Sequence, residues 1–387
     1  MLLRFQDPLK LKTKKIVFED AFHAHDSGTL EQLKELSSRR KVIEESVNES
    51  SFITEAIARE MAGGLTSKIE QDLKKLECYI PLLKNLVMHC ELLQSTPKVL
   101  QCISDLKIQW SSALNASSIF NLGGPKFFRI DNLHFELAMI LFLYGAHLRE
   151  RAFEVLSEDL VQSTTLYRKA AGVYNYLANV ILPPLQPAST KEIPLEATTM
   201  ISSVMSLICL AEAQAVTIQK AEERKGSSNL LVKLHFGITQ MLDTAASVIS
   251  SKGGESNDIS ARLMEFIYSC SILYQLRSQK HLAVGLTTSE EGHMMVRQVG
   301  VAIGVLRYAI NRVKSTKAAK DESWRSVFNQ EIVDVAELLR KLEYENELVC
   351  HEKIPDVDGL PVLQGLRIVE AIPFEPQRWE RELVFMT

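Results

Sequence analysis

The side chains in this sequence that could carry chemistry lack the spacing of known catalytic or metal-binding motifs. His23 and His25, followed by Asp26, come nearest to a metal site, but no further ligands stand at a matching spacing elsewhere. No Gly-rich phosphate loop, HExxH or GxSxG motif occurs in a supporting context. We therefore predict no catalytic residue, no metal site and no cofactor, and we expect a protein that is not an enzyme.

The remaining histidines and most of the six cysteines stand singly in apolar stretches. His89, His134, His147 and His235 interrupt helical patterns, so we interpret them as core or boundary residues. The cysteines form no CxxC pair, which favours reduced thiols that pack as small hydrophobes. The first residues also lack the apolar core of a signal peptide. Together these features predict an intracellular protein.

Composition is typical of a soluble, folded protein. Hydrophobic residues make up 46% of the 387 residues and charged residues 24%, which excludes the disordered and collagen-like classes. This length fits either two ordinary domains or one elongated helical array. Because no linker or change of composition marks a boundary, we predict a single domain over residues 1–387.

Charge patterning argues against a nucleic-acid partner. The formal net charge of -4 provides no overall basic field, and the cluster KLKTKK at 10–15 is the main local exception. We interpret that cluster as a solvated edge.

Apolar residues recur at helical spacing almost throughout, so the predicted fold class is all-α. The first thirty residues are expected to form short extended pieces and turns. The apolar run LAMILFLYGA at 137–146 is too short to span a membrane and predicts a buried helix. Helices are expected at about 30–48, 52–65, 69–93, 134–152, 157–181, 195–225, 228–251, 260–282, 289–315 and 323–347.

The four long helices at about 195–315 resemble a tetratricopeptide-like array, although the strict 34-residue signature is absent. They are followed by an extended, proline-punctuated tail at about 351–387. The tail is too apolar for a mobile terminus, so we expect it to pack along the helices. Its apolar residues are Ile354, Leu360, Val362, Leu366, Ile368, Val369 and Ile372.

A loop rich in Gly, Asn and Ser follows Trp110 and contains Phe120. Phe120 has two interpretations: an apolar plug on the nearest helices, or an exposed contact for a partner, since binding residues concentrate in loops. The residues alone leave both open.

Six features, in order along the chain, resemble the Bro-one domain family, the ALIX-type endosomal-targeting domain that also occurs as single-domain proteins in plants and animals. The strongest are FELAMILFLYGAHLRERA at 135–152, YRKAAGVYNYL at 167–177 and LICLAEAQAVTIQKAEERK at 207–225. The others are DPLKLK at 7–12, Trp110, and NELVCHEKIP at 346–355 followed by IVEAIPF.

The resemblance implies an elongated, boomerang-shaped domain with a tetratricopeptide-like core and a small N-terminal β element. It also implies a non-enzymatic adaptor or regulator of the ESCRT pathway in endosomal sorting and multivesicular body formation. Such a protein is cytoplasmic and is recruited to endosomes or multivesicular bodies. Family members dock the C-terminal amphipathic helix of an ESCRT-III subunit in a concave apolar patch. Other ESCRT components and peripheral membrane association are further implied possibilities.

The resemblance assigns that patch to six positions of this chain: Val161, Thr217, Ile218, Leu230, Leu234 and Ile368. Leu230 and Leu234 stand one helical turn apart and so share a face. If they form the patch, replacing both with Asp should abolish partner binding and leave the fold unchanged. They also continue a stripe through Ile238, Met241 and Ala245, which is typical of a core helix. Both interpretations stay open at this point.

Three positions qualify the resemblance. Thr217 stands where family members carry an aromatic residue, which reduces the apolar area available to a partner. Phe120 matches a loop residue that some members use for other partners. Cys350 stands where the family often has Tyr, so regulation by phosphorylation of that Tyr is not implied. The alternatives are a helical-repeat scaffold for another peptide, which Thr217 favours, and a membrane-surface module that uses KLKTKK.

Overall fold

Helices account for most of the regular structure. The computed structural model describes residues 2–49, 67–93, 96–116, 124–185, 192–251, 258–288, 297–316, 322, 324–377 and 381–386. Over these residues there are eleven α-helices and two β-strands, which confirms the all-α prediction. They are α1 Phe18–Ala21, α2 Ser27–Asn48, α3 Lys68–Leu92, α4 Pro97–Asp105, β1 Gln109–Ser111, β2 Phe127–Arg129, α5 Leu133–Glu154, α6 Leu160–Tyr176, α7 Thr199–Glu223, α8 Ser228–Ser250, α9 Ala261–Thr287, α10 Val299–Lys314 and α11 Arg325–Glu345.

The helices pack in the order of the chain. From α5 to α11 each helix contacts the next, and α3 connects α2 to α5. Nearest-neighbour packing of this kind is typical of helical arrays, and the tetratricopeptide-like core predicted at about 195–315 corresponds to α7–α10. Among the described helices, α7 alone is long and apolar enough to cross a membrane, but 72% of its most apolar window is buried inside the fold. It has the burial of a core helix.

Side-chain caps explain where several helices begin. The carboxylate of Asp26 accepts from the Thr29 amide at the start of α2, and Asp159 does the same for α6. Asn132 caps α5 and Ser227 caps α8. These helix starts lie within about one turn of the predicted ones, because capping residues and apolar periodicity are both visible in the sequence.

The end of α9 differs from the prediction. This helix continues to Thr287, and α10 begins only at Val299, not near residue 289. The described residues before α10 cover the end of α9 instead: the Arg297 side chain donates to the Thr287 carbonyl at 2.9 Å, and the Gln298 amide donates to the Leu286 carbonyl at 3.0 Å. They satisfy carbonyl groups that a helix end leaves unpaired. The helix predicted at 52–65 lies outside the described residues.

The small β element is built around Trp110. β1 and β2 pair antiparallel, with Trp110 opposite Phe128, and Thr13 of the N-terminal segment adds an isolated bridge to Trp110. Both strands therefore lie well after the first thirty residues, where the extended pieces were expected. Strands of three residues are too short to give a period-two signal in the sequence.

A buried carboxylate joins this sheet to the helices. Glu136 on α5 accepts from the Arg40 guanidinium of α2 and from the Trp110 indole, each at 2.6 Å. The Arg40 and Glu136 side chains are both fully buried. Arg40 also donates to the Thr13 hydroxyl at 2.5 Å, which holds the N-terminal segment in place.

The C-terminal tail lies extended across the helices and approaches two of them closely at glycines. A Cβ atom on Gly172 of α6 would lie 1.8 Å from the Ile372 carbonyl oxygen, and one on Gly237 of α8 would lie 2.2 Å from the Leu366 carbonyl oxygen. Only glycine leaves room for the backbone there. The expectation that every apolar tail residue packs is wrong for Val362, which is 92% exposed.

Gly172→Ala is expected to displace the tail from α6, because the new methyl group would overlap the Ile372 carbonyl. We expect a loss of about 2 kcal/mol or more of stability and faster proteolysis within the tail. Thermal unfolding and limited trypsin digestion measure these effects. Gly285→Ala, at an exposed helical position whose nearest side-chain atom would lie 3.2 Å away, is the matched control. Equal behaviour of the two variants would contradict this role of Gly172.

Candidate partner-binding surface

The structure separates the six predicted patch residues into surface and core. Val161 is 56% exposed, Ile368 is 47% exposed and Leu230 is 40% exposed, all high values for apolar side chains. Thr217 is half-buried. Phe120 lies outside the described residues, so its two interpretations both remain.

Ile218 and Leu234 belong to the core and not to the surface. They are 1% and 2% exposed, so neither offers area to a partner. Leu234 faces inward with Ile238, Met241 and Ala245, as the core interpretation of the stripe requires. Leu230 is different because it lies in the first turn of α8, beside the Ser227 cap, where the stripe runs past the edge of the core.

The tail brings residues from three helices to one surface. Its Leu366 amide donates to the Lys233 carbonyl of α8 at 2.8 Å, and its Ile372 amide donates to the Arg168 carbonyl of α6 at 3.0 Å. Between them, the Ile368 amide donates to the Gln214 side chain of α7 at 3.1 Å. The tail therefore crosses α8, α7 and α6 in that order.

Gln214 is the central clamp of this arrangement. Its side chain is fully buried, and its amide nitrogen donates to the Leu234 carbonyl at 2.7 Å and to the Leu366 carbonyl at 2.9 Å. Its amide oxygen accepts from the Ile368 amide. This one side chain therefore makes one hydrogen bond to α8 and two to the tail. Burying a side-chain amide lowers the stability of the fold unless its nitrogen and oxygen are hydrogen-bonded, as they are here.

A small apolar cluster joins the tail to the start of α6, next to Val161. Val369 of the tail packs there with Leu160 of α6 and Val216 of α7. Val161 itself stands in the first turn of α6, where Asp159 caps its amide at 2.8 Å. The sequence places Ile368 next to Val369, so the cluster connects the exposed Ile368 with the α6 start.

Leu366 is a surface residue that the sequence analysis had assigned only to the packed tail. It is 40% exposed while its backbone is held on both sides by Lys233 and Gln214. An extended tail turns alternate side chains outward, but the sequence does not indicate which set. We define the composite surface as the exposed side chains of Val161, Leu230, Leu366 and Ile368 with the half-buried Thr217.

Polar groups around the composite surface are compatible with a bound apolar partner. The Thr217 hydroxyl donates to the Ala213 carbonyl at 2.9 Å, so covering Thr217 would strand no donor. Lys233 of α8 and Arg367 of the tail are exposed and supply positive charge. The surface thus combines apolar side chains with a basic margin.

The basic cluster KLKTKK is largely engaged in intramolecular contacts. The Lys12 ammonium donates to the Val47 and Asn48 carbonyls at the end of α2, at 3.2 and 2.9 Å. Lys14 lies 4.4 Å from the Phe127 ring centroid, and Lys10 pairs with Asp7 at 2.6 Å. Lys10, Lys12 and Lys14 therefore have contacts within the protein that account for their positive charge.

A second group of polar residues lies at the end of α7. Glu222 meets His235 of α8 and His281 of α9, and their ligand-type atoms lie within 4.8 Å of one another. Burial lowers the pKa of His235 to about 4. Burial alone would raise the pKa of Glu222, but hydrogen bonds and charges from the two histidines outweigh it and lower that pKa. No sequence pattern indicates this group, because the three residues stand at positions 222, 235 and 281.

The structure is an array of helices that pack in chain order, with an extended tail held across α8, α7 and α6. The model of the BRO1-like domain matches residues 31–384. The chain belongs to the BRO1-like domain family, which confirms the resemblance seen in the sequence.

Two curated relatives illustrate the relation. "Programmed cell death 6-interacting protein" of Xenopus laevis is 24% identical over 272 residues, which cover 69% of this chain and 29% of the relative. "BRO1 domain-containing protein BROX" of Homo sapiens is 24% identical over 256 residues, covering 64% of this chain and 61% of that protein. The match spans less than a third of the first relative.

Solved structures share the fold over nearly the whole chain. A chain of the "ALIX BRO1 CHMP4C complex" superposes with a TM-score of 0.64 at 18% identity, covering 97% of this chain and 95% of that one. A chain described under "Structure basis for endosomal targeting by the Bro1 domain" gives 0.63 at 17% identity, covering 96% and 94%. This likeness confirms the predicted boomerang-shaped helical fold.

The division between core and surface on α8 predicts opposite results for two single variants. Leu234→Asp places a carboxylate in the core and is expected to cost at least about 3 kcal/mol of stability. Leu230→Asp, at a 40% exposed position, should leave thermal unfolding nearly unchanged. Circular dichroism melts of both variants measure the difference. Similar melting temperatures for the two would show that Leu234 is not a core residue.

Proposed function

We propose that this chain is a non-enzymatic adaptor of the ESCRT pathway, acting in endosomal sorting and multivesicular body formation. Its partner is the C-terminal amphipathic helix of an ESCRT-III subunit, which docks on the composite surface. The observation that carries the proposal is the exposure of Val161, Leu230 and Ile368, three apolar residues at the positions that match the family patch. The likeness to a chain solved in a complex with CHMP4C supports the same class of partner.

The physical basis of recognition is the burial of apolar area. Fully covering an exposed aliphatic side chain contributes about 1.5–3 kcal/mol, and the exposed residues here retain roughly half of that area. Several such contacts with Leu or Met side chains of an amphipathic helix give a specific but reversible interaction. Because Thr217 stands where relatives carry an aromatic residue, we expect that position to contribute less to the binding free energy.

Charge at the margin favours an acidic partner segment. Lys233 and Arg367 are exposed beside Leu366 and Ile368, so acidic residues flanking the apolar face of the partner helix would accelerate and orient docking. The ESCRT-III helix of this organism with the most acidic flanks is therefore the first candidate.

In the cell, the proposed adaptor is cytoplasmic and is recruited to endosomes or multivesicular bodies by its partners. The likeness to a chain described in terms of endosomal targeting by the Bro1 domain supports this location. Peripheral contact with membranes would be secondary, because Lys10, Lys12 and Lys14 of the basic cluster already make contacts within the protein.

The binding proposal predicts a defined pattern of variants. Val161→Asp, Leu230→Asp and Ile368→Asp should each weaken binding about tenfold or more, since each buries a charge against the apolar face of the partner. Fluorescence anisotropy with labelled C-terminal helices from the ESCRT-III subunits of the same organism measures the dissociation constants.

Val333→Asp is the matched control, because Val333 on α11 is 58% exposed, close to the 56% of Val161, and lies outside the composite surface. It should bind like the unmodified chain. Absence of saturable binding by the folded, unmodified chain would reject an ESCRT-III partner. An equal loss in the Val333 variant would reject the composite surface as the site.

Phe120 is proposed to contact a different partner from the one that docks on the composite surface. Its match to a loop residue used by some family members suggests a second contact for other ESCRT components. Phe120→Asp should therefore leave binding of the ESCRT-III helix unchanged in the same anisotropy assay, and a loss of that binding would assign Phe120 to the first site.

A further inference from the structure

Three helices of the core each contribute one potential metal ligand to the same point. Glu222 lies in the last turn of α7, His235 in the second turn of α8 and His281 near the end of α9. The Nε2 atoms of the two histidines lie 3.3 and 3.2 Å from the same oxygen, Oε1 of Glu222. The imidazole rings are nearly parallel, with centroids 5.2 Å apart and an angle of 12° between planes.

These spacings match the edges of a tetrahedral metal site. With Zn–N and Zn–O bonds of about 2.0–2.2 Å, neighbouring ligand atoms of a tetrahedron lie about 3.3–3.5 Å apart. The observed nitrogen-to-oxygen distances are 3.3 and 3.2 Å. A hydrogen bond between such groups is usually about 2.9 Å long. The two contacts are thus long hydrogen bonds, and one carboxylate oxygen that faces two imidazole nitrogens at this spacing also suits a small cation.

The cavity beside these residues provides room for a further ligand. It has a volume of about 210 Å³ and is lined by all three residues and by Tyr274. The Tyr274 hydroxyl is buried and has no hydrogen-bond partner among the described residues. A buried hydroxyl at a cavity of this size indicates a water molecule or another ligand oxygen there. An open zinc site holds such a water in its fourth position.

The charges of the neighbouring side chains cancel in pairs, so the Glu222 carboxylate gives the cluster its net negative charge. Arg277 and Lys280 also line the cavity, but Arg277 pairs with Glu331 at 2.7 Å and Lys280 pairs with Asp334 at 2.8 Å. Two positive and two negative side chains therefore balance one another. The remaining anion beside two imidazoles is a favourable site for a divalent cation.

We propose that Glu222, His235 and His281 bind one Zn²⁺ ion, which joins the ends of α7, α8 and α9. Two imidazoles and one carboxylate suit zinc, whereas Mg²⁺ and Ca²⁺ prefer sites made only of oxygen. The proposal rests on these three side chains alone and does not depend on the proposed partner. It departs from the prediction, made from the sequence, of no metal site.

The test uses the full chain, stripped with EDTA and titrated with Zn²⁺ alone by isothermal calorimetry. We expect one ion per chain and a rise in melting temperature on zinc addition, since a ligand bound only by the folded state stabilises it. Glu222→Gln and His281→Ala should each weaken zinc binding at least about tenfold. Both residues are partly exposed, so their variants are expected to fold.

His25→Ala is the matched control, because His25 is an exposed histidine in the HAHD sequence that first suggested a metal site. It should bind zinc like the unmodified chain. The absorption of bound Co²⁺ provides an independent readout: the proposed nitrogen and oxygen ligands give d–d bands without the sulfur charge-transfer band of a thiolate site.

Three results would overturn the proposal. The first is no saturable zinc binding by the unmodified chain. The second is unchanged affinity in both Glu222→Gln and His281→Ala. The third is a Co²⁺ spectrum with a thiolate band, which would place the ion at one of the six free cysteines.

Discussion

The close contact between the extended tail and the helical core is the constraint on which the composite surface depends. Gly172 and Gly237 let the tail backbone approach within a distance that any other residue would forbid. Gln214 then holds the tail by bonds to Leu366 and Ile368. Because the tail supplies two of the exposed apolar side chains and the helices supply the others, neither part forms the surface alone.

The position of Gln214 is fixed in turn by a buried ion pair. Two residues earlier on α7, Glu212 accepts from the Arg149 guanidinium of α5 at 2.7 and 2.5 Å, with both side chains more than nine-tenths buried. A bidentate pair of this kind allows one relative placement of two helices. Its net contribution to stability is limited by the cost of removing both charges from water, so its main effect is on geometry.

The sequence predicted the helices well because their signals are local. Caps such as Asp26 and Asp159 and the apolar periodicity fix most helix starts. The sequence did not show which of Leu230 and Leu234 is buried, because both belong to one apolar stripe of α8. The core ends between them, so Leu234 is buried and Leu230 is exposed. The strand pair around Trp110 and the meeting of Glu222 with two distant histidines are long-range results of folding. No local spacing indicates them.

The most direct test of the composite surface is hydrogen–deuterium exchange of the full chain with and without a saturating ESCRT-III helix. We expect protection together at the start of α6, at the start of α8 and in the tail around Leu366 and Ile368. Protection confined to another part of the chain, such as α11, would contradict the composite surface as the binding site.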